Sequence, residues 1–400
     1  MAATLESLNP TLQRVYAPKQ VVEQLYQENP FLAKVKKTNR YTVGEEARVV
    51  VHDGRNGGYT ALPEGGGTLN EAGQQGFHKA GFKYKNHHIQ VAVQGEAIDG
   101  TQGDANAIVD ATTTEIDGAI DDYNRIMTRQ LYMDGSALIS QCRASSSNNV
   151  DLNTTQGRIA IERGWLFVNQ PVDVGTKAEA TSLVNNSKIT AIDEENFAVT
   201  VASGNVAGEG ATHYVSHAKS RSGEVSRESN GLRIIVGTAE LGGLSSSTSP
   251  YWKSTVNEEE VDLTIGKLLT AQRKIRQVRG KSPTFILTGL KQQQKLYEQL
   301  QQQVTFSSDK GLTAGGDEAV TWNGMEIFAD PDCPDEDLYM GHWEHLFMVA
   351  LNDGYWQNKI TGGNILQWSQ GTDAFVGKYT YRANLAVNRR NDLYRFSKLK

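Results

Sequence analysis

The chain has 400 residues, which at roughly 150 per domain allows two or three domains and ample material for a buried core. Apolar residues make up 38%, and 39 glycines raise the apolar-plus-glycine share to about 48%, as in ordinary soluble globular chains, which excludes whole-chain disorder and a coiled coil. Lys and Arg number 40 against 46 Asp and Glu, a net charge of −6, so no global cationic field exists to hold nucleic acid or an anionic membrane.

Cys142 and Cys333 lie far apart with no CxxC, which fits neither a disulfide framework nor a thiolate zinc site and suits a reducing compartment. The opening MAATLESLNP has neither the basic nor the apolar region of a secretory signal. The longest uninterrupted apolar run, residues 346–351, is far short of the roughly 20 residues that span a membrane as a helix. The expectation is a soluble chain made in a cytoplasm.

Residues 1–40 begin irregularly and then offer one amphipathic helix over 18–32, with Val21, Val22, Leu25 and Tyr26 on a face. The basic cluster Lys34, Lys36, Lys37 and Arg40 reads as a solvated surface. From 41 to 99 the period changes to two: Ala47, Val49 and Val51 alternate, as do Phe82 with Tyr84 and Ile89, Val91 and Val93. Between these strands lie DGRNGG (53–58) and PEGGG (63–67), turn and loop chemistry with little to bury, so the stretch reads as a long two-stranded excursion with a mobile tip. Such a ribbon is marginal alone in water and needs something to lie on; a second copy of the chain is one candidate.

Residues 104–134 carry the strongest helical signal, with Ile116, Ala119, Ile120, Tyr123, Met127 and Leu131 recurring every three or four positions. Early acids and the later Arg125 and Arg129 match the helix dipole, and the helix would be about 45 Å long. Residues 145–245 are rich in Ser, Asn, Gly and Thr, with alternating runs at 158–162, 188–192 and 197–201. They read as an inserted β module, a small barrel with Ile159, Ile161, Ile189, Ile192, Phe197, Val199 and Val201 in its core and polar loops at 202–210 and 219–231. A second long helix is predicted over 257–278, with Asn257 as cap and three glutamates in its first turn. A strand at 284–287 and a helix at 290–303 follow, then a hairpin in which Asn323-Gly324 joins 319–322 to 325–328, and the tail over 375–399 is mostly strand.

The chemistry-bearing motifs fail one by one. Gly280-Lys281-Ser282 would need a glycine five positions earlier to cradle phosphate, and Ile275 stands there. Gly135-Ser136-Ala137 lacks the GxSxG frame of a nucleophile elbow and reads as a helix exit. His342-Trp-Glu-His345 has its histidines at i and i+3 instead of the zincin i and i+4, so a satisfied or surface pair is expected. The rings of His87 and His88 point to opposite faces of a strand, and Asp121-Asp122 lies on the outer side of a helix. No nucleophile, base and orienting group come together, so catalytic, cofactor-binding and metal residues are all expected to be absent.

The order of parts is arm, long glycine-tipped hairpin, girder helix, β insertion, second long helix, mixed domain and returning strands. Individual stretches fit the same order: NRIMTRQLYMDGSA (124–137), GLRIIVGTAELGGL (231–244), WNGMEIFADP (322–331) and NLAVNRRNDLYRFSK (384–398). Together they resemble the major capsid proteins of tailed bacteriophages, whose shell fold is named after phage Hong Kong 97.

The resemblance implies an α+β, Hong Kong 97-type capsid fold with a long spine helix. Its parts would be an N-terminal arm at 1–40, an extended loop at 41–100 lying over a neighbouring subunit, and a peripheral domain with the spine helix at 101–144. An inserted β domain at 145–245, a peripheral-domain helix at 246–280, a mainly apical domain at 281–370 and peripheral closing strands at 371–400 would follow. The function implied is that of a major capsid protein, self-assembling into hexamers and pentamers of an icosahedral shell around the double-stranded DNA of a tailed phage, without catalysis or cofactor. Its partners would be further copies of itself, a portal, decoration proteins, and packaged DNA held non-specifically on the inner face, with no membrane. Because only about 40 residues precede the extended loop, the scaffolding protein is expected to be separate. Its place would be the virion capsid, assembled in the bacterial host cytoplasm. Subunit contacts are expected at Tyr59, Leu62, Glu64, Phe77 and Phe82 of the extended loop and at Arg389 and Arg390. Two other readings stay open: an encapsulin-type cellular compartment with the same shell fold, and a soluble oligomeric enzyme whose active site is dispersed along the sequence.

Overall fold

The computed structural model describes residues 30–39, 42–94, 105–143, 145–177, 184–206, 212–222, 225–300, 320–351, 354–357, 365–371 and 374–400. Most of the helix expected over 18–32 lies outside these residues, as do Arg40, the end of the helix expected over 290–303, and parts of the loops at 202–210 and 219–231; the first helix described is Pro30–Lys34. The chain divides into two compact units. The described residues of the first come from His88–Asn124 and Trp356–Tyr379, and those of the second from Asn29–His87, Arg125–Tyr355 and Thr380–Lys400.

The first unit is held by aromatic rings meeting edge to face. Tyr379 takes Tyr123 at 5.6 Å and Trp356 at 5.5 Å, while Trp368 lies 5.1 Å from Phe375 across a short antiparallel pairing.

The helical signal over 104–134 is realised as Ala105–Tyr132, 28 residues and about 42 Å of rise. Burial deepens along it: Ile116, Ala119 and Ile120 are half-buried, and every residue from Met127 onward is buried. The exit is a turn in which Asp134 Oδ1 accepts from the backbone and hydroxyl of Ser136, with Gly135 at φ +72°.

In the second unit, a seven-stranded sheet runs in the order Leu138–Gln141, His213–His217, Pro171–Thr176, Val184–Asp193, Ala198–Val201, Asn149–Asp151, Ser145–Ser146. Its end strands do not pair with each other among the described residues, so the small barrel read from the sequence is an open sheet. The core under it includes Ile161, Ile189, Val199 and Val201, with Ile159, Ile192 and Phe197 packed at its edge, and it draws every member from residues 133–215. Residues 158–162, read as a strand from their alternation, belong instead to the helix Thr155–Glu162. Thr154 caps it by accepting from Gly157 N, and Gly157 is required because a Cβ there would lie 2.0 Å from Leu152 O.

A six-stranded sheet runs in the order Thr255–Asn257, Tyr394–Phe396, Leu338–Gly341, Phe285–Thr288, Met325–Ala329, Val320–Trp322. It shares a core with the helices Ile265–Arg279 and Leu290–Leu300 through Leu268, Ala271, Ile275, Ile286 and Leu296. The helix expected over 257–278 thus begins eight residues later. Asn257 closes a strand whose carbonyl accepts from Ser397 N at 2.8 Å, and Thr264 is the actual cap. Asn323 and Gly324, at φ +49° and +79°, make the expected hairpin turn. Among the described residues no helix is long and apolar enough to cross a membrane.

The turn over residues 330–337 collects buried acids. Tyr132 Oη donates to Asp330 Oδ2 at 2.5 Å and Trp165 Nε1 to Asp332 Oδ1 at 3.1 Å, while Asp337 accepts from Arg233 at 2.9 Å, Arg395 at 3.1 Å and Tyr339 at 3.1 Å. Burial pushes the Asp330 carboxyl up to about 6 against the hydrogen bond from Tyr132, and raises Asp332 as well.

Candidate assembly surfaces

The ribbon starts as regular sheet. Glu46–His52 and Phe77–Lys83 pair antiparallel from Glu46↔Lys83 to His52↔Phe77, and the period of two turns Ala47, Val49, Ala80 and Phe82 inward and Val50 and Phe77 outward. Beyond His52 the two segments stay together without regular strand geometry. Asp53 N and Gly54 N both donate to Gly76 O, at 3.1 and 3.2 Å, and Gly76 N donates back to Gly54 O at 3.3 Å. A Cβ on Gly54 would stand 2.4 Å from Gly76 N, and one on Gly73 2.7 Å from Gly57 N, so only glycine permits the approach. Asn56 Oδ1 accepts from Gly58 N and Gly73 N, and Asn70 binds Thr60 Oγ1 and Tyr59 O. Glycine-rich sequence that reads as loop chemistry is therefore a clasp between two chain segments out to Tyr59 and Asn70.

The ribbon exposes several large apolar side chains among polar ones. Tyr59 is 84% exposed, Leu69 70% and Phe77 62%, with Leu62 exposed beside them. Scattered single apolar residues need no explanation; here several share one narrow excursion.

At the ribbon's root lies a groove of about 820 Å³, lined by residues 50–55, 250–255, 277–278 and 388–391. The buried Trp252 ring anchors one wall through Nε1 donating to Leu241 O at 2.9 Å. Val50, Tyr251 and Val278 are exposed apolar residues along it, and Arg55, Lys253 and Arg389 are exposed cations set against the single acid Asp53. Beneath the groove Arg390 donates to the carbonyls of Ile234, Ile235, Gly237, Ala239 and Trp252 at 2.8–3.1 Å.

Of the seven contact residues expected from the sequence, Tyr59, Leu62, Glu64 and Phe77 are exposed on the ribbon and Arg389 is exposed at the groove. Phe82 and Arg390 are corrected from surface to interior positions: Phe82 is 1% exposed on the inward face opposite Ala47, and Arg390 is 0% exposed with its donors taken by its own chain's carbonyls. Leu69 on the ribbon and Arg55, Tyr251, Lys253 and Val278 along the groove are exposed as well and were not among the expected residues. Leu69 had a signal, a lone apolar side chain in an otherwise polar glycine-rich stretch; the groove residues had none, because four distant segments build it.

His342 and His345 both face the buried Asp392, at 3.7 and 3.1 Å, and His342 also meets Ser282 O at 2.8 Å. His87 Nε2 lies 2.8 Å from Ser229 Oγ while His88 is exposed. Gly280 caps its helix at φ +80°. Among the described residues no group of three His, Cys, Asp or Glu is placed to hold a metal ion.

No family model matches the chain, and no curated protein matches it in sequence. Among solved structures it is similar to a chain of the cyanophage A-1(L) capsid asymmetric unit, at 12% identity and a TM-score of 0.54, covering 96% of this chain and 96% of that one. The holo-SrpI encapsulin complex of Synechococcus elongatus gives 8% identity and a TM-score of 0.48 over 100% and 97% of the two chains, and Mycobacterium phage Bobi gives 8% and 0.46 over 99% and 99%. At 12% identity the likeness to the cyanophage chain is one of fold, and over nearly its whole length this chain has the fold of a phage capsid chain.

Proposed function

We propose that the chain is a major capsid protein that self-assembles into the hexamers and pentamers of an icosahedral shell enclosing the double-stranded DNA of a tailed phage. The observation that carries this reading is the ribbon, which is clasped out to Tyr59 and Asn70, carries several exposed apolar side chains and is left uncovered by the described residues of its own chain. The shared fold with a cyanophage capsid chain supports it. In this reading the fold is of the Hong Kong 97 type, the ribbon is the extended loop lying over a neighbouring subunit, and Ala105–Tyr132 is the spine helix. A separate scaffolding protein, a portal and decoration proteins are its partners, DNA lies against the inner face, and assembly takes place in the host cytoplasm. The chain works by association, with no catalytic step.

Particle mass tests the proposal. The purified chain, with scaffold co-expressed, is expected to form closed particles of on the order of 60 copies or more, as icosahedral closure demands. A chain that stays at a few copies under all such conditions overturns it. Particles that enclose a protein cargo and exclude DNA would assign the chain to a cellular compartment.

A further inference from the structure

We propose that the turn over residues 330–337 is a proton-controlled latch between the seven-stranded sheet and the six-stranded sheet, closed in mild acid and looser at neutral pH. The inference stands on the fold of one chain and holds whether or not that chain forms shells.

Each sheet has a core of its own, one drawn from residues 133–215 and the other from residues 263–399. Open space lies between them beside the turn. A cavity of about 230 Å³ is lined by Gln156, Ile159 and Trp165 on the side of the seven-stranded sheet and by Arg233, Pro334 and Glu336 on the other. A second, of about 610 Å³, lies between the helix Thr155–Glu162 and residues 335–336 and 398–400. The turn spans this gap with two bonds. Tyr132 Oη donates to Asp330 Oδ2 at 2.5 Å, and Trp165 Nε1 donates to Asp332 Oδ1 at 3.1 Å. Trp165 belongs to the core of the seven-stranded sheet, and Tyr132 directly precedes its member Met133. Asp330 directly follows the strand Met325–Ala329 of the six-stranded sheet, so the two bonds tie one sheet to the other.

The charged and titratable groups facing Asp330 are Tyr132, Asp332 and Arg163; those facing Asp332 are Arg163, Arg125 and Arg129, and Cys333 lies against Tyr132. Burial pushes the Tyr132 phenol and the Cys333 thiol up, so both stay protonated near neutral pH, and arginine keeps its charge throughout. The carboxyls are left to titrate. Asp330 is wholly buried and does so near pH 6. Below that its carboxyl is neutral and can itself donate to Tyr132 Oη, so the bond persists with its direction reversed. Above it a buried carboxylate sits beside a second acid, and motion that admits water to it becomes easier. In an opened turn Asp330 titrates near the ordinary aspartate value. The opening constant therefore rises with pH between that value and about 6 and levels off above, by about tenfold from pH 5 to pH 7.5.

Hydrogen exchange read by mass spectrometry on the purified full chain tests the latch, as protection factors corrected for the intrinsic pH dependence of exchange. From pH 5 to pH 7.5 protection is expected to fall about tenfold at residues 163–166 and 330–333, while 189–201 inside one sheet and 285–288 inside the other keep theirs. Asp330→Asn abolishes the fall. Tyr132→Phe removes a donor that favours the ionised carboxyl and moves the fall to higher pH, which a change of packing alone would not do. Protection in the parent that ignores pH, an equal fall in both sheet interiors, or a full fall in Asp330→Asn overturns the latch. If Asp330→Asn does not fold, the parent profile and the Tyr132→Phe midpoint decide: an unmoved midpoint overturns it as well.

Discussion

Arg390 is enclosed on every side and has five backbone carbonyls as hydrogen-bond acceptors. Burial brings its pKa down to about 10, so it keeps its charge at neutral pH, and the carbonyls it serves end the short helix Leu232–Ile235 and fix Trp252 under the groove. Arg390→Met leaves those carbonyls buried without a donor, and a loss of about 3–5 kcal/mol is expected. The urea midpoint checks it, with an unchanged slope showing that two-state unfolding is retained. Asp330 has the opposite relation to pH. Its carboxyl titrates near 6 in the folded chain and near the ordinary aspartate value when unfolded, so the folded state favours its neutral form. The stability this contributes is complete below the unfolded value, near pH 4, and is lost as pH rises through about 6, an effect on the order of 3 kcal/mol. Asp330→Asn keeps an acceptor for Tyr132 Oη and removes the titration. Urea melts at pH 5 and pH 7.5 are expected to differ less in this variant than in the parent, and an equal difference in both would show that Asp330 does not carry the effect.

At the scale of elements, the ribbon depends on backbone approach more than on side chains. Gly54→Ala forces the two segments apart at their root, because its Cβ would meet Gly76 N at 2.4 Å. Hydrogen exchange is expected to quicken over residues 53–76 while the melting temperature of the whole chain stays within a few degrees; unchanged exchange would mean that the clasp tolerates a side chain. That clasp was only half legible in the sequence. The alternation of Ala47, Val49 and Val51 announced the strands, but glycine signals equally a loop or a close approach, and only the pairing partner decides. The helix over Ala105–Tyr132 was legible because its period persists for many turns, and Asn323-Gly324 because the turn demands those residues. The helix start at 257 was misread because Glu258, Glu259 and Glu260 imitate a first turn, while the Asn257 carbonyl is taken by Ser397, 140 residues away. The candidate site divides the same way: tip residues stand out as apolar side chains in polar surroundings, and a groove assembled from four segments leaves no local period to read.

At the scale of the molecule, the six-stranded sheet depends on residues 394–396. Tyr394–Phe396 is its second strand, parallel to Thr255–Asn257 on one side and antiparallel to Leu338–Gly341 on the other, and Arg395 completes the pairing of the buried Asp337. Ending the chain after Leu393 removes Tyr394, Phe396 and Leu399 from the core and leaves Asp337 one cation short, so the product is expected to be insoluble or protease-sensitive throughout the second unit. A truncated chain that melts cooperatively at the parent temperature would show the strand to be dispensable. Residues 388–391, which line the groove, lie directly before that strand. The groove wall that residues 388–391 supply is thus set by the same pairing that completes the sheet, so a chain whose residues 394–396 have not yet found Leu338–Gly341 is unfinished at its surface as well as in its core.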